Sequence, residues 1–425
     1  MTNFGVGSAI LFQRDLTDSQ IRQLGGIALL LSVAALISSA VFATPIAAAL
    51  GVYELRSVLP AMGAASAMSI LNAVPVALLK RDLDFRKLSI IETGRALVSV
   101  VVVLALALSG ARYWSLVLGE LAGVTIMTLW LYAVARYRVA RPHWMSVRSS
   151  LRLTSEVMAN RFAWYFYSNA DIAIVSRQLG SSALGDYSMA WTLTSMPSSR
   201  IATFLLGVTP SLFARVQRDP AALGRYYLRL LELLAIGLFP AIVGIALVAR
   251  DAVPLLLGHR WAGSVPIIEI LALSVAFRSI MPLSNQVLVS RLRADLALRY
   301  SGLVAVVLPL GFLVGARWGT AGVATAWLTL YPLLTVRQFQ LTSHELGLPT
   351  TTTMKVLLRP FAGLSAMSLA VLFARALLAE TTVKPAARLV LLVCVGAVAY
   401  AAFLWTFMRP QLTSLVRLVR EKRID

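Results

Sequence analysis

Apolar residues along this chain run in long blocks that short polar segments interrupt at near-regular intervals. A window of about twenty residues, the length that crosses a bilayer as a helix, places the blocks near residues 24–50, 58–79, 88–109, 113–135, 157–178, 186–213, 226–249, 265–289, 295–316, 319–336, 354–378 and 387–408. The pattern predicts an all-α, polytopic membrane protein of twelve crossing helices. The blocks lack the polar alternation of barrel strands. No polar stretch between them is longer than a loop.

Composition agrees, with 58% of the 425 residues hydrophobic and 14% charged, far from a soluble domain. Charge adds direction to the helices. The net charge is +20, and 26 of the basic residues fall in one alternate set of loops and tails, from Arg14 and Arg22 to Arg420 and Arg423, against 8 in the other. The excess of Lys and Arg on the cytoplasmic side of membrane proteins then puts both termini in the cytoplasm. Confinement of the basic residues to short loops argues against nucleic-acid binding, which needs a basic surface domain. The single cysteine, Cys394, lies in an apolar block and reads as a small packing residue. The opening MTNFGVGSAILF has no basic leader or cleavage motif and is too short to span.

Two stretches occur twice. GARYW at 110–114 joins the third and fourth helices and returns as GARW at 315–318 between the ninth and tenth. A basic segment LLKRDLDFRKL (78–88) precedes the first of these helix pairs, and VSRLRADLALRY (289–300) precedes the second. An offset of six helices is even and preserves orientation, which predicts parallel repeats about an axis along the membrane normal. If the unit has six helices, the second copy is complete and the first shows four. On that reading MTNFGVGSAILF is the cytoplasmic end of a helix preceding the first block.

Ionisable residues at bilayer depth cost about 2.5–3.5 kcal/mol each on insertion scales and so face a partner or a cavity. Glu92 and Arg95 lie three apart on the third helix and are placed to pair. The fifth carries Glu156, Asn160, Arg161, Trp164, Tyr167, Ser168, Asn169 and Asp171, of which Asn160, Trp164, Ser168 and Asp171 share one stripe. That stripe suits either a wet cavity lining or a polar contact between helices. Arg200 follows Pro197, and Arg278 precedes Pro282, Asn285 and Gln286. With Arg95 and Arg161 they supply a surplus of guanidinium groups, whose planar fork matches phosphate. Snorkelling toward the interface is the alternative for Arg161 and Arg375. His143, His259 and His344 lie in predicted loops with no second ligand beside them, and no HExxH, Walker loop or nucleophile elbow occurs. The chain does not read as an enzyme.

The run YSNADIAIVSRQLGSSALGDYSMAWTLTSMPSSRIATFLLGVTPSLFARVQRDP (167–220) resembles the bacterial polysaccharide flippases of the MOP exporter superfamily. So do LLLGHRWAGSVPIIEILAL (255–273), LLKRDLDFRKL and GARYWSLVLGELAG (110–123). The branch they match is the lipopolysaccharide, colanic-acid and exopolysaccharide exporters. The resemblance covers essentially the whole chain and implies a MATE-like fold of fourteen helices, here without the first and most of the second. It implies an incomplete N-terminal lobe at 1–145, a six-helix lobe at 146–345, and two further helices with a basic tail at 346–425. The implied activity is translocation of undecaprenyl-diphosphate-linked oligosaccharide repeat units across the bacterial inner membrane by alternating access, with a polysaccharide polymerase and a chain-length regulator as partners. No cofactor is implied. Coupling to a proton or sodium gradient would fall to Asp171 or Glu92, and substrate contact to Arg95, Arg161, Arg200, Arg278, Asn160, Trp164, Asn169, Asn285 and Gln286. Two other readings are a drug or organic-cation antiporter of the same fold, which would prefer buried carboxylates, and a non-transporting scaffold of the polysaccharide machinery.

Overall fold

The computed structural model describes residues 5–13, 16–50, 53–135, 139–379 and 383–407, and the described residues are helical with no strand. The helices are α1 (Gly5–Phe12), α2 (Asp18–Leu50), α3 (Leu55–Leu71), α4 (Ala73–Arg81), α5 (Phe85–Leu108), α6 (Trp114–Ala135) and α7 (Trp144–Val216). They continue as α8 (Pro220–Leu256), α9 (Ser264–Ser290), α10 (Ala294–Gly315), α11 (Gly319–Glu345), α12 (Thr350–Leu377) and α13 (Pro385–Phe407). Every predicted apolar block falls on a helix, and the protein is an all-α, multi-pass membrane protein. Nine described stretches are long and apolar enough to cross a membrane, one of them covering α10 and α11 together. α7 is not among them, because charged and amide side chains interrupt its apolar runs.

α7 carries two predicted blocks, separated at Gly180, where φ is 85° and ψ is 178°. Only glycine adopts that backbone without strain. A Cβ there would meet no atom, so conformation and not space requires the glycine. The block at 58–79, predicted as one helix, lies in one crossing stretch at 55–81, in which buried Asn72 keeps a helical backbone between α3 and α4. Pro75 has no N–H to give the Leu71 carbonyl, and the Tyr132 hydroxyl of α6 donates to that oxygen at 3.3 Å.

The described helices form two compact units. The first comprises residues 1–161 with 210–215 and 289–298. In it α2 packs on α3 and α5 on α6, while α1 lies on α4. Ile10, Leu24, Val74 and Ala77 share one buried cluster, and Ala9, Phe12, Leu153, Ala214, Val289 and Ala294 share another.

The second unit comprises 162–209, 216–288 and 299–425. Its α8 begins with Pro220, and the Asp219 carboxylate accepts from the Ala221 and Ala222 amides at 3.0 Å, which satisfies donors that a helix start leaves open. Phe239, Phe277 and Phe361 from α8, α9 and α12 stack at centroid distances of 5.2–6.2 Å. Pro240 frees the Ile236 carbonyl, and the Tyr400 hydroxyl of α13 donates to it at 2.9 Å. A tyrosine thus closes a proline gap in each unit. Between α10 and α11 the backbones meet at Gly315 and Gly322, where a Cβ on Gly322 would lie 2.0 Å from the Gly315 carbonyl oxygen.

The two repeated motifs fare differently. In the first basic segment, Arg81 ends α4, Asp82 caps it, and Leu83 takes φ 58° before Asp84 opens α5. In the second, Ser290 ends α9, and Leu292 takes φ 60° two residues later before α10 begins at Ala294. Both turns place a leucine in the left-handed position that helix ends usually give to glycine. The amide of that leucine donates to a carbonyl three residues back in each, Lys80 at 3.2 Å and Val289 at 3.0 Å. The GARW turns do not match: Gly110 has φ 84° and Arg112 φ 47°, whereas Gly315 is helical and the left-handed residue is Gly319. The shared letters serve a conformation at one turn and a close approach at the other. A third echo is Gln-Arg-Asp, at 13–15 after α1 and at 217–219 after α7. Ala214, near that end of α7, packs in one cluster with Ala9, Leu11 and Phe12 of α1.

Leu292 is 45% exposed, so little packing opposes its replacement. We expect Leu292→Gly to stabilise the protein by about 0.5–1 kcal/mol after the added chain entropy of glycine. Thermal unfolding in detergent measures it, and a lower melting temperature would show that the leucine contacts outweigh the strain.

Candidate functional site

The site in the second unit is built on Asp171, which lies in the first half of α7 with a side chain fully out of solvent. An isolated carboxylate at that depth is costly, and here three donors meet it. The Tyr187 hydroxyl donates to Oδ2 at 2.8 Å, the Trp327 indole N–H donates to the same oxygen at 2.9 Å, and the Ile172 amide donates to Oδ1 at 2.8 Å. Tyr187 comes from the second half of α7 and Trp327 from α11, so the turn at Gly180 and the hairpin at Gly315–Gly322 position the donors.

The counter-charge is Arg278 of α9. Its guanidinium carbon lies 4.7 Å from the Trp191 ring centroid and 4.8 Å from that of Trp327. The two indoles are themselves 5.5 Å apart. Arg278 acts electrostatically on Asp171, Tyr167, Tyr187 and Tyr331. Trp327 therefore links the charges, giving its N–H to the anion and its face to the cation. An indole whose N–H is held by a carboxylate has a more electron-rich face, which strengthens the cation–π contact. Phe312 and Tyr331 pack on the same indole at 5.0 and 5.4 Å. Nη1 of Arg278 is buried and makes no hydrogen bond within the protein.

The other predicted residues are dispersed. Of the proposed stripe, Asn160, Ser168 and Asp171 are buried, but Trp164 is 49% exposed, which removes it from the buried face. Asn169 donates to the Tyr165 carbonyl of its own helix at 2.7 Å, a local bond that occupies its amide. Asn285 and Gln286 are half-buried on α9. Arg200 lies on α7, and its side chain is outside the described residues.

In the first unit Arg95 does not pair with Glu92. It donates to Glu120 of α6 at 2.8 Å, and Glu92 is exposed on α5. A pairing across two helices neutralises both charges where the bilayer penalises each alone. Arg161 is exposed and lies close enough to Lys80 to repel it. Arg375 is not a snorkelling side chain but donates to Asp251 and to the Leu247 carbonyl, each at 2.7 Å. Arg388 approaches the other Asp251 oxygen at 3.3 Å. Cys394 is exposed on α13 rather than packed inside.

Sequence reasoning missed Tyr187, Trp191, Trp327, Glu120 and Asp251. A signal was present for Tyr187 and Trp327: buried tyrosine and tryptophan need a partner for their polar atom, and Asp171 was one of the acidic residues within the apolar blocks of the second unit's helices.

A family model described as "Polysaccharide biosynthesis protein" matches residues 1–266. The chain belongs to this family. Among its relatives, lipopolysaccharide biosynthesis protein WzxC of Escherichia coli is 25% identical over 272 residues, covering 62% of this chain and 54% of that protein. Succinoglycan biosynthesis transport protein ExoT of Rhizobium meliloti is 27% identical over 238 residues, covering 55% and 48%. The chain spans about half the length of the curated relatives it matches. Among solved structures, the lipid II flippase MurJ in an inward closed conformation superposes with a TM-score of 0.64 at 13% identity, over 96% of this chain and 90% of that one. An outward-facing multidrug resistance MATE family transporter of the MOP superfamily gives 0.61 at 13% identity, over 81% and 83%. The chain therefore shares the fold of these two solved structures, and its Asp171–Trp327–Arg278 cluster is set on three different helices of it.

Proposed function

We propose that the protein translocates a lipid-linked oligosaccharide, of the undecaprenyl-diphosphate class, across the bacterial cytoplasmic membrane by alternating access. The observation that carries the reading is Arg278, a guanidinium held against two indoles at bilayer depth with a buried nitrogen that has no hydrogen bond in the protein. Such a group takes a diphosphate or an acidic sugar. Family membership and the names of its relatives support a saccharide carrier over other cargoes. In this reading residues 1–145 and 146–345 are the two lobes, 346–425 supplies two further helices and a basic tail, both termini face the cytoplasm, and a polymerase and chain-length regulator are partners.

Asp171 balances Arg278 at rest. Protonation of Asp171 would leave Arg278 without its counter-ion and raise its attraction for the substrate anion, which couples a proton gradient to loading. Glu92, exposed and distant in sequence from these helices, is the weaker candidate for coupling.

The organic-cation antiporter reading has one supporting observation, the buried carboxylate itself. Three donors already occupy Asp171, and Arg278 lies within electrostatic reach of it, so it is poorly placed to receive a cation. The test is complementation: the 425-residue chain, expressed in a strain lacking its own lipid-linked oligosaccharide flippase, is expected to restore surface polysaccharide. Normal membrane abundance without restoration would favour the non-transporting scaffold.

A further inference from the structure

The helix α11 holds a second polar feature that the Asp171 cluster does not use. Tyr331, Thr335, Gln338 and Thr342 recur at four, three and four residues, so they form one stripe along a single face. All four are buried, from 2% exposed at Tyr331 and Thr335 to 1% at Gln338 and 0% at Thr342. Thr335 Oγ1, Gln338 Oε1 and Thr342 Oγ1 make no hydrogen bond within the protein. Tyr300 of α10 and Ser168 of α7 are 7% and 6% exposed, and their hydroxyls are equally without a partner.

The same helix shows what a satisfied threonine does. Thr325 and Thr329 donate to carbonyls one turn earlier at 2.8 and 2.9 Å, and Ser343 pairs with Thr353 at 2.8 Å. Thr335 and Thr342 do neither. Five buried polar atoms with uncompensated desolvation would cancel a large share of the stability of an ordinary protein. Something other than protein must serve them, and ordered water is the usual partner of such groups. The stripe is also continuous with the site above it. Trp327, one turn before Tyr331, donates to Asp171, while Tyr331 is hydrogen-bonded to Tyr167 and lies within electrostatic reach of Tyr300. At 1.5 Å per residue, the fifteen residues from Trp327 to Thr342 extend about 22 Å, most of a bilayer core, and end one turn from Glu345.

We propose that this face of α11 is hydrated, and that its ordered waters form a polar path between the Asp171 site and the Glu345 end of the helix. The path gives protons a route to Asp171, a consequence that rests on the coupling role given to Asp171 above; the hydration itself does not. A single bound cation fits less well, because the orphan oxygens are spread along the helix and carry no carboxylate among them.

Radiolytic hydroxyl-radical footprinting tests it directly, since radicals made from bound water label the side chains beside that water. On the full chain in nanodiscs, Tyr300 and Tyr331 are expected to be oxidised roughly tenfold faster than Tyr227, which is 0% exposed against their 7% and 2% and is satisfied by Ser284 at 2.9 Å. Equal rates for the three tyrosines would overturn the proposal. The double variant Thr335→Val/Thr342→Val provides a second measurement. Hydrated, it should lose the excess labelling with no gain in melting temperature. Dry, it would remove two orphan hydroxyls and melt higher, which would also overturn the proposal. If labelling of the wild type is fast but gradient-driven transport by the double variant is unchanged, the hydrated path stands and the coupling role of Asp171 falls.

Discussion

Asp171→Ala is expected to destabilise the protein by about 3–5 kcal/mol, the cost of breaking a buried charge pair from one side. The substitution removes the acceptor of Tyr187 and Trp327 and leaves Arg278 as an uncompensated cation against two rings. Each orphaned donor adds about 1–3 kcal/mol where no water replaces the lost bond. Arg278→Met should cost less, because Asp171 keeps its three donors. The double variant is the informative one. If the charges are coupled through Trp327, Asp171→Ala/Arg278→Met should cost less than the sum of the single changes by about 1–3 kcal/mol. Trp327→Phe, which keeps a ring and deletes the N–H, should reduce that coupling. Unfolding in detergent, followed thermally, measures all four. Strict additivity would mean that Asp171 only anchors Tyr187 and Trp327 and does not answer to Arg278.

Arg278→Lys is expected to lower export at least about tenfold although the positive charge is retained. The guanidinium carbon lies over both indoles at once, at 4.7 and 4.8 Å, a placement set by a planar group on a longer side chain that the lysine ammonium does not reproduce. The ammonium also presents one compact group where the guanidinium offers a fork of donors. Each ring contact is worth about 0.5–2 kcal/mol, so weakening both reaches the ~1.4 kcal/mol of a tenfold effect. The readout is surface polysaccharide in the complementation strain, normalised to membrane abundance. Near-wild-type export by Arg278→Lys would show that charge alone matters there, and near-wild-type export by Arg278→Ala would remove Arg278 from the substrate path.

Single residues show where sequence reasoning reached its limit. Asp171 was legible because an ionisable residue within an apolar block is conspicuous against the cost of placing it there. Its partners were not: Tyr187 is 16 residues away and Trp327 is 156 residues away, and both have the ordinary appearance of aromatic residues in membrane helices. Arg95 shows the opposite error. The nearest acid in sequence, Glu92, was the obvious partner, yet the α5–α6 packing brings Glu120 to it. The GARW echo likewise concealed that the two glycines do different work.

What the sequence determined by itself is the placement of the apolar blocks on helices, the prediction of their direction, and the repetition of basic turns. These follow from local quantities: apolar length against bilayer thickness, charge against the membrane face, and proline or glycine where a backbone bond or angle is missing. Only the tertiary structure decided which polar groups meet. A buried carboxylate, an indole N–H and a guanidinium gain their energy from contact across helices far apart in the chain, and no local pattern specifies that α7, α9 and α11 bring Asp171, Arg278 and Trp327 to one place.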